Sequence, residues 1–173
     1  MKHMKIKIPK FSLVVMIGVS SAGKSSFAKK HFKKTEIVSS DECRAIISDD
    51  ENDQTVTKDA FALLHYIIAK RLKNQRLTIV DATSVQTESR KSLINLARKY
   101  NYVAIAIVLD IPEQMCQDRH KVRQDRNFED YVISKQYQDL KRSIKYLKSE
   151  GFRKVHILRS AETVDAITGI VRV

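Results

Sequence analysis

Glycine, proline and cysteine are all scarce in this chain, with four, two and two of them in 173 residues. So little glycine and proline leaves no stretch that reads as a linker. There is no internal repeat or low-complexity segment either, so a single domain over residues 1–173 is expected. Cys43 and Cys116 stand far apart in different contexts, which favours reduced thiols over a disulfide or a metal site. His3, His31, His65, His120 and His156 show no metal-ligand spacing. No apolar run approaches about 18 residues, so no segment reads as a membrane-spanning helix. The start, MKHMKIKIPKF, is basic but has no signal-peptide apolar region, and the cytoplasm is the expected location. Acidic residues are missing altogether from the first 34 positions, which hold nine Lys or Arg.

What is present is the composition of a folded protein: 43% hydrophobic and 30% charged residues, with a net charge of +12. The excess is uneven. Residues 35–118 hold ten basic and thirteen acidic residues, whereas residues 119–159 hold twelve basic and five acidic ones. Fixed positive charge gathered in this way favours a polyanionic partner, although a solvated face accounts equally well for the charge alone.

Apolar runs end repeatedly at polar turns. SLVVMIG (12–18), TEIVSS (35–40), LTIV (77–80), YVAIAIVL (102–109) and KVHILR (154–159) read as strands, most of them buried on both faces. Helical patterns follow each: Lys24 to about Phe32, one that starts near Asp41 as its N-cap, Thr55 to about Asn74, and Thr87 to about Tyr100. Beyond them come a helix after Pro112, Tyr131 to about Glu150 closed by Gly151, and a short one over Glu162–Ile170. The alternation predicts an α/β fold with a five-stranded parallel sheet flanked by helices.

The first strand leads into Gly18-Val19-Ser20-Ser21-Ala22-Gly23-Lys24-Ser25, which fits G-x-x-x-x-G-K-[ST] without a mismatch. This is the phosphate-binding P-loop. Its glycines admit close backbone approach, its amides and the helix N-terminus face the phosphates, and Lys24 reaches the β- and γ-phosphates. The Ser25 hydroxyl is a Mg²⁺ ligand. Asp81, at the end of the third strand, is in the position of a carboxylate that holds Mg²⁺ directly or through water, or else caps a turn.

Asp41 ends the second strand, two strand spacings or about 10 Å from the loop if strand three lies between. A carboxylate there is placed to take a proton from a hydroxyl that attacks the γ-phosphate. Arg44, one helical turn on, is placed to bind a phosphate on that acceptor, and a local Asp–Arg pair is the plainer alternative. Arg119, Arg123 and Arg126 fall at i, i+4 and i+7 on one predicted helical face past the fourth strand, where a lid would close over the triphosphate. A solvated basic face has the same spacing. The aromatics, including Tyr131, Tyr137 and Tyr146, read as core or helix-surface residues.

Together, the P-loop, Ser40-Asp41-Glu42-Cys43-Arg44, Asp53-Gln54, Asp81-Ala82-Thr83, Arg119-x-x-x-Arg123 and the phrases SDDENDQ, VDAT-x-VQ and IVLD-x-PE resemble one group. It is the 5′-hydroxyl kinase module of the bacterial polynucleotide kinase–phosphatase end-healing proteins, within the P-loop phosphotransferase superfamily. The likeness runs from about Leu13 to Arg159, and it implies the P-loop kinase fold, with the strand order 2-3-1-4-5 and a helical lid at about 113–130. It implies transfer of the γ-phosphate of ATP, or another nucleoside triphosphate, with Mg²⁺, to the 5′-OH of DNA or RNA in end healing and repair. It implies a nucleotide site of Gly18, Ser20, Ser21, Ala22, Gly23, Lys24, Ser25 and Ser26, with Arg119 and Arg123 from the lid. It further implies Asp41 as general base and Arg44, Gln54 and Thr83 on the acceptor side. Ala22 departs mildly from the group's usual small or glycine residue. Phosphatase and ligase-like domains usually follow this module in the same protein.

Two rivals remain at this point. A kinase of a small hydroxyl compound (a nucleoside, sugar or antibiotic) shares the loop and Asp41 but leaves Arg44 and the basic excess without a role. A nucleic-acid-binding domain switched by nucleotide needs no base at the acceptor position.

Overall fold

The computed structural model describes residues 4–126 and 128–173. Its elements in chain order are β1 (Met4–Ile8), β2 (Ser12–Ile17), α1 (Lys24–His31), β3 (Ile37–Ser39), α2 (Ser40–Ser48), α3 (Thr57–Lys73), β4 (Thr78–Asp81) and α4 (Thr87–Lys99). There follow β5 (Val103–Leu109), α5 (Glu113–Val122), α6 (Asp130–Ser143), α7 (Leu147–Glu150), β6 (Lys154–Leu158), α8 (Ala161–Asp165) and β7 (Ile167–Arg172). The main sheet is wholly parallel with order β3-β4-β2-β5-β6, the order expected for the five strands read from the sequence.

Every residue of β2 is buried, and its side chains alternate between two cores. Leu13, Val15 and Ile17 meet Leu64 and Ile68 of α3 and Ile94 of α4 on one face. Val14 and Met16 meet Phe27 and Ala28 of α1 on the other. A central strand covered on both faces needs this continuous apolar run, because every position buries a side chain. No helix among the described residues is long and apolar enough to cross a membrane.

Two features depart from expectation. The segment read as a helix over 162–170 is helical only to Asp165. Ile167–Arg172 is a strand, paired in parallel with β1, which the sequence reading treated only as a basic start. The pair forms a second, two-stranded sheet that joins the chain's two ends. Its cause is burial: Ile6, Ile8 and Ile167 enter the core around α1, each stabilising by about 1.5–3 kcal/mol. Arg172 then forks onto Glu36 at 2.7 and 2.8 Å and ties β7 to the turn before β3.

The second departure is the cap of α2. Ser39, not Asp41, is the N-cap, its Oγ accepting from the Glu42 N–H at 3.4 Å. Asp41 sits inside the first turn, where a carboxylate still favours the helix dipole. Because the cap is supplied by Ser39, neither oxygen of Asp41 is needed by the helix backbone.

Candidate active site

The loop between β2 and α1 is shaped by contacts that only its residues allow. A Cβ at Gly18 would lie 2.9 Å from the Leu109 carbonyl oxygen, so the closeness of β2 to β5 demands glycine. Gly23 adopts φ +101°, in the left-handed region, as the loop turns into α1. The Gly18 N–H donates to the Thr83 carbonyl at 3.0 Å, which pins the loop to the end of β4. The Ala22 side chain is buried against the core, so a small residue is accommodated there without blocking the loop.

Lys24 is 8% exposed, and its Nζ donates to the Val19 carbonyl at 2.8 Å. Burial lowers its pKa to about 8, against the opposing pull of Asp81 and Asp41. The sign of the consequence follows. Below pH 8 the free protein carries the ammonium that a triphosphate needs, and binding is insensitive to pH. Above it the amine is neutral, and binding must take up a proton. Donor affinity is therefore expected to fall above pH 8, by up to about tenfold per pH unit, which nucleotide titrations at several pH values would measure. A flat profile to pH 9.5 would contradict the assignment of Lys24.

Asp81 is buried at the end of β4, in register with Ser39 on β3. Asp41 rises two residues beyond Ser39, so both carboxylates stand beside the loop, on the side of β2 where β4 intervenes. The Ser25 hydroxyl, Asp81 and Asp41 share one chamber of about 250 Å³ with Lys24. One hydroxyl and one carboxylate form a sparse donor set. That suits Mg²⁺, which keeps several waters and takes phosphate oxygens as its remaining ligands. Among the described residues no group of three His, Cys, Asp or Glu could hold a metal ion.

Two further cavities open from this chamber. On one side Ser21, Gly23, Ser26 and Arg123 are shared with a cavity of about 330 Å³ lined by Phe27, Ile111, Ala161 and Val164 and also by Lys30, His31 and Asp165, a slot of mixed polarity with apolar surface enough for a nucleobase. On the other side Ser20, Asp41, Thr83 and Arg126 are shared with a cavity of about 460 Å³ that also holds Arg44, Gln54 and Lys135. The chamber around Lys24 thus adjoins both of the others, and Asp41 lines it and the cavity of about 460 Å³.

Arg119, Arg123 and Arg126 do not share the single helical face expected of them. α5 ends at Val122, and Arg123 is already extended. Arg119 crosses the loop, its Nη1 donating to the Ala22 carbonyl at 3.2 Å. Arg123 pairs with Asp125 at 2.6 Å. Arg126 turns away to pair with Asp41, which Arg44 also holds at 2.8 Å.

Gln136 of α6 carries no local signal in the sequence, yet its Oε1 accepts from the Ser20 N–H of the loop at 2.8 Å. Tyr131, read as core or helix surface, lies exposed on α6 and lines the cavity of about 460 Å³. Cys43 and Cys116 are buried and unpaired.

A family model described as AAA domain matches residues 13–147, well over half of the chain. The chain belongs to this AAA domain family. No curated protein matches it in sequence. In fold, this AAA domain aligns with a chain of the Pnkp1/Rnl/Hen1 RNA repair complex with TM-score 0.67 and 20% identity, over 84% of this chain and 48% of that one. It therefore spans about half the length of that relative. A chain of AvrRxo1-ORF1:-ORF2 with ATP gives TM-score 0.68 and 14% identity, over 89% of this chain and 55% of that one. A gluconokinase from Sinorhizobium meliloti 1021 gives 0.56 and 16%, over 92% of this chain and 90% of that one. At these identities the shared property is the fold: this AAA domain has the five-stranded parallel sheet of the P-loop kinases.

Proposed function

We propose that this AAA domain is an ATP- and Mg²⁺-dependent 5′-hydroxyl polynucleotide kinase acting in nucleic-acid end healing. The observation that carries the reading is the cavity of about 460 Å³, which we assign to the acceptor. It adjoins the phosphate chamber around Lys24 at Asp41 and is lined by three cations, Arg44, Arg126 and Lys135, against two carboxylates, Asp41 and Asp139, which leaves a net positive charge. A neutral sugar or nucleoside has no use for that charge, whereas the phosphates next to a 5′-OH terminus do.

In the reaction, Lys24 and the loop amides hold the donor phosphates, and Arg119 and Arg123 close over them. Ser25 and Asp81 would hold Mg²⁺, whose charge offsets that of the β- and γ-phosphate oxygens. The acceptor 5′-oxygen forms its bond to the γ-phosphorus as the bond to the β–γ bridging oxygen breaks. Asp41 takes the hydroxyl proton, and nucleoside diphosphate leaves. Such a loose transition state leaves catalysis to positioning and to charge stabilisation. Arg119→Ala and Arg123→Ala should each lower turnover by about 10²–10³-fold, since each removes a donor aimed at developing charge. Near-normal rates in single-turnover assays would place them on a solvated face.

The gluconokinase relative favours a second reading, because it is matched over nearly its whole length. In that reading the acceptor is a small hydroxyl compound. Nucleoside 3′-phosphates separate the two. If the cationic cavity binds the phosphate beside the 5′-OH, a nucleoside 3′-phosphate should accept labelled phosphate far better than the same nucleoside. Equal or reversed preference would favour the small-molecule reading.

A further inference from the structure

Arg126 lies three residues beyond the lid pair that the polynucleotide-kinase resemblance implies, on the connection from α5 to α6, and it lines both the phosphate and the acceptor cavities. Its Nη2 pairs with Oδ2 of Asp41, while Arg44 Nη1 holds Oδ1 at 2.8 Å. Both oxygens of the carboxylate assigned as base are therefore engaged by arginines. The Nε of Arg126 and the Nε of Arg44 are buried without a hydrogen-bond partner among the described residues. A buried N–H left unpaired is costly, and a guanidinium beside a phosphate chamber has an obvious acceptor to turn to. The same connection is fastened a second time, by Asn52 Nδ2 donating to the Asp125 carbonyl at 2.8 Å.

We propose that Arg126 is a donor-operated switch. It rests on Asp41 in the nucleotide-free protein and passes to the transferring phosphoryl group when a nucleoside triphosphate enters. The proposal rests on the reading of Asp41 as the base. A triphosphate carries more negative charge than one carboxylate and arrives in a chamber that Arg126 already lines, so it competes for the guanidinium on favourable terms. The exchange has two effects at once. It frees one Asp41 oxygen for the acceptor hydroxyl, and it adds a third arginine where charge spreads over the phosphoryl oxygens. No covalent bond changes in the switch itself; the bonds that form and break are those of the transfer. Acceptor competence then depends on the donor, and by linkage the coupling is reciprocal.

A donor-only double-mutant cycle tests this. Dissociation constants of the Mg²⁺ complex of a non-hydrolysable ATP analogue are measured for the wild type, Asp41→Asn, Arg126→Ala and the double variant, with thermal melts to show that each is folded. The switch predicts that Asp41→Asn tightens binding by about fivefold or more when Arg126 is present, because the arginine is released, and by clearly less when it is absent. A fixed ion pair predicts the opposite order, because Arg126 would then screen Asp41 from the phosphates. An equal or larger effect in the Arg126→Ala background overturns the proposal.

A second arm measures binding of a 5′-OH oligonucleotide with and without the analogue. The analogue should strengthen it in the wild type and leave it unchanged in Arg126→Ala. If the wild type does not bind the oligonucleotide at all, the polynucleotide reading fails, while the donor-only cycle still decides the switch.

Discussion

Asp41→Asn is expected to lower phosphoryl transfer by about 10²–10⁴-fold while strengthening donor binding. The substitution keeps shape and volume. It spares α2, because the N-cap is Ser39. It keeps a hydrogen-bond acceptor for the substrate hydroxyl but removes the proton acceptor, and it gives up the ion pairs with Arg44 and Arg126. It also removes one negative charge from the chamber that holds the phosphates. Single-turnover transfer and nucleotide titration on the same preparation measure the two effects separately. Transfer within about fivefold of the wild type would mean that the hydroxyl loses its proton elsewhere, and that Asp41 is there only to hold Arg44 and Arg126.

The largest effect on stability is expected at Arg90. This side chain is 0% exposed, yet it is fully used. Its Nε and Nη2 fork onto Glu150 at 2.7 and 2.6 Å, and Nη1 donates to the carbonyls of Ser84 and Val85 at 3.0 and 2.8 Å. One guanidinium thus closes the loop after β4, which carries Thr83, and binds it to α7. Arg90→Met leaves the half-buried carboxylate of Glu150 without its partner and two carbonyls unpaired. The expected cost is about 3–5 kcal/mol, or a Tm lower by roughly 6–20 °C in a chain of this size. Chemical denaturation and thermal melts would register it. Adding Glu150→Leu should recover part of the loss, because the stranded charge goes with it, while the two carbonyls remain unpaired. A change below about 1 kcal/mol in Arg90→Met would show that water takes over the role of the guanidinium.

How much of this was legible before the structure depended on the range of each interaction. The loop from Gly18 to Ser25 is a local motif whose backbone needs are written in its own glycines. The long helices and buried strands announce themselves by period and by apolar runs. The parallel sheet follows from the alternation of strands and helices, and its order from the resemblance to the P-loop kinase fold. What escaped was non-local. Lys5-Ile6-Lys7-Ile8 alternates as a strand should, but its partner lies at the other end of the chain, where Ile167–Arg172 has β-branched residues that followed a true helical turn too closely to be separated from it. Ser39 and Asp41 are both good cap residues, and only the length of β3 decides between them.

The site shows the same division. Lys24, Ser25, Asp41, Asp81, Arg44 and Thr83 line two adjoining cavities. Arg126 was grouped with Arg119 and Arg123 by helical spacing, and that spacing lost its meaning once α5 stopped at Val122. Its true partner is 85 residues away in sequence. Gln136 reaches Ser20 over 116 residues, and nothing near it in the chain marks the contact.

The central claim is that the acceptor is a polynucleotide 5′-OH end. Incubation with ATP labelled in the γ-phosphate and Mg²⁺, in the presence of matched DNA and RNA oligonucleotides, tests it most directly. The oligonucleotides carry either a 5′-OH or a 5′-phosphate, and a panel of nucleosides and sugars runs alongside. The account predicts label on the 5′-OH oligonucleotides, none on their 5′-phosphorylated counterparts, and loss of label with Asp41→Asn. Label on a nucleoside or sugar with none on any oligonucleotide would contradict it.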